Sequence, residues 1–284
     1  MKRQFNNLKR TLTLAILISA LSCSNTEEPV VNETLNNDIA KSVLKLKDDK
    51  TNVFKGPEVQ YGSGKARSLI RLDKEGFPLE IAIELTPEVL SDLSALHSNG
   101  HEETVVLPLH KKAKEVTPFE HIGLNFQPDG HGPVFWNTHF DFHFYTITNE
   151  ERMAIPPYDA TDQSIVDGYN LFPDATKMPE DYIKFPFQGG AYPYMGKHWV
   201  PADWATGYNP FTHVMILGSY AQKNNFIEPM ITVDYLMSGD EFSGTYSQPL
   251  TFEEPGNNYP TKYNIYHDDL TGNIYISLSE FVTR

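Results

Sequence analysis

The chain has 284 residues, and its 23 basic and 37 acidic residues give a formal net charge of −14. This charge repels phosphate backbones, which argues against nucleic acid as a partner. Cys23 is the only cysteine, so an internal disulfide is excluded and the folded part must rely on burial and hydrogen bonding.

The first 22 residues predict a signal peptide. They carry four basic and no acidic residues, and their apolar run from Leu12 to Leu21 is about half as long as a membrane-spanning helix needs. The segment leads into "ALSC", which resembles a bacterial lipoprotein processing site with Cys23 as the lipidated residue. An ordinary secretory signal is the alternative. The lipoprotein interpretation predicts a cell-envelope protein that contacts the outer membrane through acyl chains, and the acidic "SNTEEP" that follows resembles signals for surface exposure.

Residues 23–52 predict a flexible tether, because they are polar and contain few bulky apolar groups. From residue 53 to residue 284 aromatic and aliphatic residues recur without a long polar gap or an internal repeat. One β-rich domain is therefore the simplest interpretation.

The predicted elements of this domain are mainly β-strands. "ARSLIRL" and "PLEIAIEL" flank "DKEGF", which predicts a hairpin with Gly76 in the turn, and "LTPEVLSDLSAL" predicts one short helix with Thr86 as its N-cap. Further strands are predicted at "ETVVLPL", "HIGLNF", "THFDFHFYT", "THVMILGSY", "FIEPMITVDYL", "KYNIYH" and "NIYISLSEF". Prolines and glycines between residues 147 and 212 predict long ordered loops. The pattern predicts a single antiparallel β-barrel or sandwich-like domain.

One predicted strand, "THFDFHFYT", alternates polar and aromatic residues. Successive side chains of a strand point to opposite faces, so three phenylalanines share one face while His139, Asp141 and His143 share the other. Imidazole and carboxylate groups are ordinary ligands of zinc, iron and manganese. The strand therefore predicts part of a metal site.

Other parts of the chain offer further ligands. His131 lies in "PDGHGP", His198 in "YMGKHWV" and Glu228 in "FIEPMITVDYL". The predicted ligands of one divalent ion are His139, His143, His198 and Glu228, with Asp141 and His131 as alternates or supporting groups. Such an ion suits metal-assisted hydrolysis or oxygen chemistry. The alternatives are a solvated sheet face, or a non-enzymatic binding or assembly module whose histidines form a structural polar network.

Other catalytic classes find little support. The chain has no Gly-x-Ser-x-Gly elbow, no phosphate-binding glycine loop and no dinucleotide fingerprint. A glycosidase-like carboxylate pair stays open, because the spacing of carboxylates in space is not visible in a sequence. The 15 tyrosines, 17 phenylalanines and 3 tryptophans suit either core packing or a groove for a small-molecule ligand. The sequence indicates neither an oligomeric state nor a particular substrate.

A family resemblance joins these motifs. The motifs "GSGKARSLIRLDKEGFP", "LPLHKKAKEVTPFEHIGLNFQPDGHGP", "HFDFHFYTITNEERMAI", "YPYMGKHWV" and "NNFIEPMITVDYL" resemble, in this order, the TTHB-two-ten-like family of bacterial secreted domains of unknown function. The resemblance covers about residues 58–237 and implies a compact β-rich domain, but it implies no reaction or cofactor. The family pattern has a glutamate where this chain has Gly132, so a role for His131 is less well supported than the roles of His139, His143, His198 and Glu228.

Overall fold

The computed structural model describes residues 51–96, 104–132, 134–186, 190–208 and 210–284. Within these ranges two antiparallel sheets pack face to face, and neither closes into a barrel. The sandwich-like alternative is therefore confirmed. The predicted signal peptide, Cys23 and nearly all of the predicted tether lie outside the described residues.

Fifteen strands and six short helices make up the described part. The strands are β1 (Asn52–Lys55), β2 (Val59–Tyr61), β3 (Gly64–Leu72), β4 (Pro78–Leu85), β5 (Val105–Pro108), β6 (His121–Gln127), β7 (His139–Tyr145), β8 (Tyr182–Lys184), β9 (Ala191–Tyr192), β10 (Gly196–Pro201), β11 (His213–Tyr220), β12 (Lys223–Thr232), β13 (Phe242–Thr245), β14 (Asn258–His267) and β15 (Ile274–Thr283). The helices are α1 (Glu88–Ser91), α2 (Lys111–Val116), α3 (Asn149–Met153), α4 (Gln163–Asn170), α5 (Trp204–Gly207) and α6 (Val233–Ser238). Short 3-10 turns span Leu93–Ala95 and Ala175–Lys177.

Each sheet is built mainly from neighbouring hairpins. The first sheet has the order β1-β3-β4-β15-β14-β13, with β2 paired to β3. The second has the order β5-β6-β7-β12-β11-β10-β8, with β9 paired to β10. The predicted hairpin of β3 and β4 is confirmed, and Gly76 adopts a φ of 87° in its turn. Glycine tolerates this left-handed conformation because it has no Cβ.

Two local predictions were wrong. Thr86 does not cap α1: the N-cap is Pro87, which offers no side-chain bond, and the Thr86 hydroxyl instead accepts from the backbone N–H of Lys65. The strand predicted to run through "VDYL" ends at Thr232, whose hydroxyl accepts from the N–H of Tyr235 and starts α6. At Thr232 a side-chain hydrogen bond marks the boundary, whereas at Thr86 the hydroxyl is bonded to a neighbouring strand and α1 begins without a side-chain cap.

The segment between β7 and β11 is more regular than predicted. The sequence "TNEERMAI" forms α3, with a capping box between Thr148 and Glu151. The segment also contributes β8, β9 and β10, which extend the second sheet beyond β11. These short strands were missed because prolines and glycines surround them.

The main core fills the space between the two sheets. Aliphatic side chains of β3, β4, β14 and β15 meet Ile122, Leu124 and the three phenylalanines of β7, Phe140, Phe142 and Phe144. The predicted apolar face of β7 thus points into the sandwich. The polar face of the same strand must then lie on the outside of the second sheet. No helix among the described residues is long and apolar enough to cross a bilayer.

Candidate metal centre

The polar face of β7 is fully buried. His139, Asp141 and His143 expose 0 %, 1 % and 0 % of their surface, so the interpretation as a solvated sheet face is wrong. The segment between β7 and β11, together with Phe135, covers this face. A second apolar cluster forms there, separate from the sandwich core, and it includes Phe135, Phe185, Tyr192, Met195, Phe211, Phe226 and Met230.

Strand register brings Glu228 next to His143. β12 pairs with β7 so that Ile227 lies opposite Phe144 and Met230 lies opposite Asp141. Counting along both strands places Glu228 opposite His143 on the buried outer face. The two side chains are neighbours in the sheet although 85 residues separate them in the chain.

His198 approaches from β10, on the far side of β11. His198 pairs with Gly218 on β11, and Gly218 pairs in turn with Phe226 on β12. A Cβ at residue 218 would overlap the Phe226 ring, so the absence of a side chain there lets this ring lie over β11. The ring centroid of Phe226 lies 4.9 Å from that of His143 and 5.0 Å from that of His198. Gly218 and Phe226 therefore set the distance between the two imidazoles.

His143, His198 and Glu228 form one compact group of ligand atoms. Glu228 Oε2 lies 3.5 Å from His143 Nε2 and 3.6 Å from His198 Nε2, and the three ligand atoms lie within 4.8 Å of one another. Tetrahedral zinc with bonds of 2.0–2.1 Å has ligand atoms about 3.3 Å apart. The group could hold a metal ion if its ligand atoms move closer together.

His131, His139 and Asp141 form a second group beside the first. His139 Nε2 lies 3.2 Å from His131 Nε2 and 3.3 Å from Asp141 Oδ1, and His131 Nε2 lies 3.9 Å from Asp141 Oδ2. These separations also match a single ion. Each group consists of two imidazoles and one carboxylate, the donor set that leaves coordination positions open on iron and similar metals.

Hydrogen bonds orient the ligands of this second group. His139 Nδ1 lies 2.6 Å from the carbonyl oxygen of Asn137, which can only accept, so Nδ1 carries the hydrogen and Nε2 faces the group. Gln127 donates from Nε2 to Asp141 Oδ2 at 3.0 Å. Imidazole and carboxylate ligands of metals are commonly held in this way by neighbouring groups.

The two carboxyl groups respond differently to burial. Burial alone raises the pKa of Asp141, but the adjoining His139 and His131 outweigh it and hold that pKa well below its usual range. Burial raises the pKa of Glu228 well above its usual range, and the negative charge of Asp141 adds to this effect. Without a metal ion, the surroundings thus favour the ionised form of Asp141 and the protonated form of Glu228.

Tyr192 joins the two groups and was not predicted. Its ring centroid lies 6.1 Å from that of His131 and 4.6 Å from that of His198. Burial raises the pKa of Tyr192, and the charges of Asp141 and Glu228 raise it further. Its place in "YPYMGKHWV", six residues before His198, was the only available signal, and many tyrosines of this chain have similar surroundings.

Five of the six residues predicted as ligands lie on this buried face, and the loop residue His131 joins them from its edge. The structure divides them differently from the prediction, because His139 joins His131 and Asp141 rather than His143. The other described histidines lie outside both groups. His121 stacks on Tyr145 with ring centroids 4.7 Å apart, and His213 Nδ1 lies 2.9 Å from the Tyr263 hydroxyl, so both imidazoles contact tyrosines away from the two groups.

Gly132 follows His131 directly, at a position where the predicted family resemblance implies a glutamate. Its φ of 70° lies in the left-handed region, where a glutamate would be strained. The neighbouring His131 is fixed by its backbone N–H, which donates to the carbonyl of Phe135 at 2.8 Å.

Comparison with family models, curated proteins and solved structures finds no match to this chain. The resemblance to the TTHB-two-ten-like family therefore stays a prediction, and the functional argument rests on the site itself.

Proposed function

We propose that this protein is an exported, lipid-anchored component of the bacterial cell envelope whose sandwich domain holds a divalent metal ion between His143, His198 and Glu228. One observation carries the metal proposal. Glu228 Oε2 is buried without a hydrogen bond among the described residues, and two imidazole nitrogens lie 3.5 and 3.6 Å away. A buried carboxylate oxygen without a partner costs free energy, and a cation between the three ligand atoms would remove that cost.

The donor set indicates which ions fit. Two imidazoles and one carboxylate suit zinc, iron or manganese better than calcium or magnesium, which prefer oxygen ligands. His143 and His198 would bind as neutral ligands, and Glu228 would bind as the anion after losing the proton that burial favours. A bound ion with open positions would supply a Lewis acid for metal-assisted hydrolysis or oxygen chemistry.

Metal content tests this proposal directly. The full-length protein, extracted in detergent without an affinity tag, should contain close to one equivalent or more of zinc, iron or manganese by elemental analysis. Chelation should lower its melting temperature and the returned ion should restore it, because an ion that binds only the folded state stabilises it. Replacing both His143 and Glu228, with Ala and Gln, should abolish retention by this group.

A matched control uses a histidine outside the site. His110 caps α2 by accepting from the N–H of Lys112, and asparagine can replace that bond. The variant His110→Asn should keep its metal. Wild-type protein that holds less than about a tenth of an equivalent, and whose melting temperature does not respond to added metal, would rule the proposal out.

The export part of the proposal rests on the sequence. The apolar segment before "ALSC", the lone Cys23 and the polar stretch after it are the supporting features. The outer membrane, reached through acyl chains and with the domain exposed at the surface, is the proposed location. The predicted acidic surface gives no reason to expect a nucleic-acid partner.

A second candidate function, small-molecule binding, is favoured by a cavity at one end of the sandwich. The cavity measures about 380 Å³, within the range of about 300–1,000 Å³ that is usual for ligand pockets. Its aromatic lining includes Phe226, Tyr246, Phe252 and Tyr259. One of its carboxylates, Glu253, is already bonded to Lys177 at 2.6 Å, so a neutral ligand with hydroxyl groups and an apolar face fits best. Saccharides that raise the melting temperature of wild type but not of Phe252→Ala would support this function.

A further inference from the structure

We propose that His131, His139 and Asp141 form a second metal position, which opens to solvent and takes a small anionic ligand, beside the closed position at His143, His198 and Glu228. This inference rests on the proposed metal function and extends it from one ion to two. The two positions would differ in access, so that one ion is held permanently and the other can meet a ligand.

The first step is that ligand atoms converge on the second position. Because Asn137 fixes the hydrogen of His139 on Nδ1, the Nε2 lone pair faces Asp141 Oδ1 at 3.3 Å and His131 Nε2 at 3.2 Å. Without a metal ion, His131 Nε2 carries a hydrogen and donates it to His139 Nε2, and a bound ion would take the place of that hydrogen among the three atoms. The bond from Gln127 to Asp141 Oδ2 leaves Oδ1 directed at the group, as expected of a prepared ligand.

The second step is that each group is complete by itself. The ligand atoms form two sets of three, each within 4.8 Å. Asp141 and His143 lie two residues apart on β7, and side chains at this spacing are about 7 Å apart. The Tyr192 ring contacts His131 of one group and His198 of the other. One ion with bonds of about 2 Å cannot serve both groups in full.

The third step concerns access from solvent. The His131 side chain is 21 % exposed, whereas the side chains of His143, His198 and Glu228 are 0 %, 8 % and 2 % exposed. Trp136, in the same loop as His131, is 60 % exposed. The second position therefore lies nearer the surface than the first, which is closed by the apolar cluster around Phe226.

Charge indicates what kind of ligand binds. Two divalent ions bring four positive charges into a buried site, and the carboxylates of Asp141 and Glu228 balance two of them. A buried excess of positive charge is unfavourable, so an anion such as a carboxylate, a phosphate or hydroxide should complete the open position. Exogenous anions should therefore bind at the His131 position alone.

Cobalt titration tests this inference. The metal-free, full-length protein in detergent is titrated with Co²⁺, and binding is followed by visible absorption and equilibrium dialysis. We expect two equivalents in wild type, and one each in His131→Ala and Glu228→Gln, with different spectra. His267→Gln is the control and should keep two, because His267 lies outside both groups and contacts the carbonyl of Leu236.

Azide then tests the anion site. Added azide should change the cobalt spectrum of wild type and of Glu228→Gln, but not that of His131→Ala.

A wild type that binds a single equivalent of cobalt, which both variants lose, would refute the second metal position while leaving the proposed metal function intact. A wild type that binds no cobalt would overturn both. If azide changes no spectrum, or changes that of His131→Ala, the anion site is refuted. Circular dichroism of the metal-free variants checks that each is folded, and Asp141→Asn provides a second variant of the open position.

Discussion

Replacing Glu228 with glutamine should have opposite effects on the metal-free and the metal-loaded protein. In the metal-free protein, burial and the charge of Asp141 raise the pKa of Glu228 well above that of an unfolded chain. Between these two pKa values the unfolded state loses a proton that the folded state keeps, so the free energy of unfolding falls as pH rises. Glutamine is neutral and similar in shape, so the free energy of unfolding of the Glu228→Gln protein should not fall in this way.

The size of the effect follows from the pKa difference. Each unit corresponds to about 1.4 kcal/mol, and 1 kcal/mol shifts the melting temperature of a domain of this size by about 2–4 °C. At pH 8 the metal-free Glu228→Gln protein should therefore melt above wild type, by about 3–6 °C for each unit by which the folded-state pKa is raised. Near pH 4 both side chains are neutral in the folded and unfolded states, and the difference should vanish.

Excess metal should reverse the order of the two melting temperatures, so that wild type melts above Glu228→Gln. An ion at 100 times its dissociation constant stabilises the folded state by about 2.7 kcal/mol, and Glu228→Gln loses the anionic ligand on which that affinity depends. Differential scanning calorimetry with chelator and with zinc, from pH 4 to pH 8, measures both effects. The exposed Glu75→Gln is the control, and it should show neither. A metal-free Glu228→Gln protein that is less stable than wild type at pH 8, or a difference independent of pH, would refute the reasoning.

Three further predictions concern the core, the buried histidines and the anchor. Phe142→Ala should lower the free energy of unfolding by about 3–5 kcal/mol in urea, since the ring is fully buried between the sheets; a loss below 1 kcal/mol would contradict this. Burial and Arg152 lower the pKa of His121 to about 4, so the unfolded state binds a proton first as pH falls from 6.5 to 4. Wild type should lose up to about 3 kcal/mol over that interval, and His121→Phe should lose less, in unfolding titrations at each pH. Cys23→Ser should prevent labelling by a fatty-acid analogue and move the protein from the membrane to the soluble fraction; unchanged labelling would exclude lipidation at this residue.

Much of the fold could be predicted because it is built from neighbouring hairpins. The pairs β3–β4, β11–β12 and β14–β15 each join strands that are adjacent in sequence, and their turns carry local signals. The errors arose where one hydrogen bond outweighs the pattern. At Thr232, a strand-like sequence continues, but the hydroxyl accepts from the N–H of Tyr235 and a helix begins.

The ligand residues could be predicted, but their grouping could not. The alternation in β7 identified His139, Asp141 and His143 from a period of two residues. Which histidine they meet depends on contacts between distant segments: the loop that returns His131 to His139, and the missing side chain of Gly218 beside Phe226. Neither contact leaves a periodic signal in the sequence.

The location of the polar groups argues for a function rather than for stability. A sandwich gains its stability from the apolar face between its sheets, and the phenylalanines of β7 already supply that face. The outer face of the second sheet needs no ionisable groups, and a buried carboxyl such as Glu228 lowers the free energy of unfolding at neutral pH. Apolar residues of the segment around Phe185 and Tyr192 nevertheless cover the outer face of the second sheet. The chain encloses four imidazoles and two carboxylates, and their nitrogen and oxygen atoms are directed at two points. This arrangement is expected when a bound cation restores the free energy of unfolding that burial of these groups lowers.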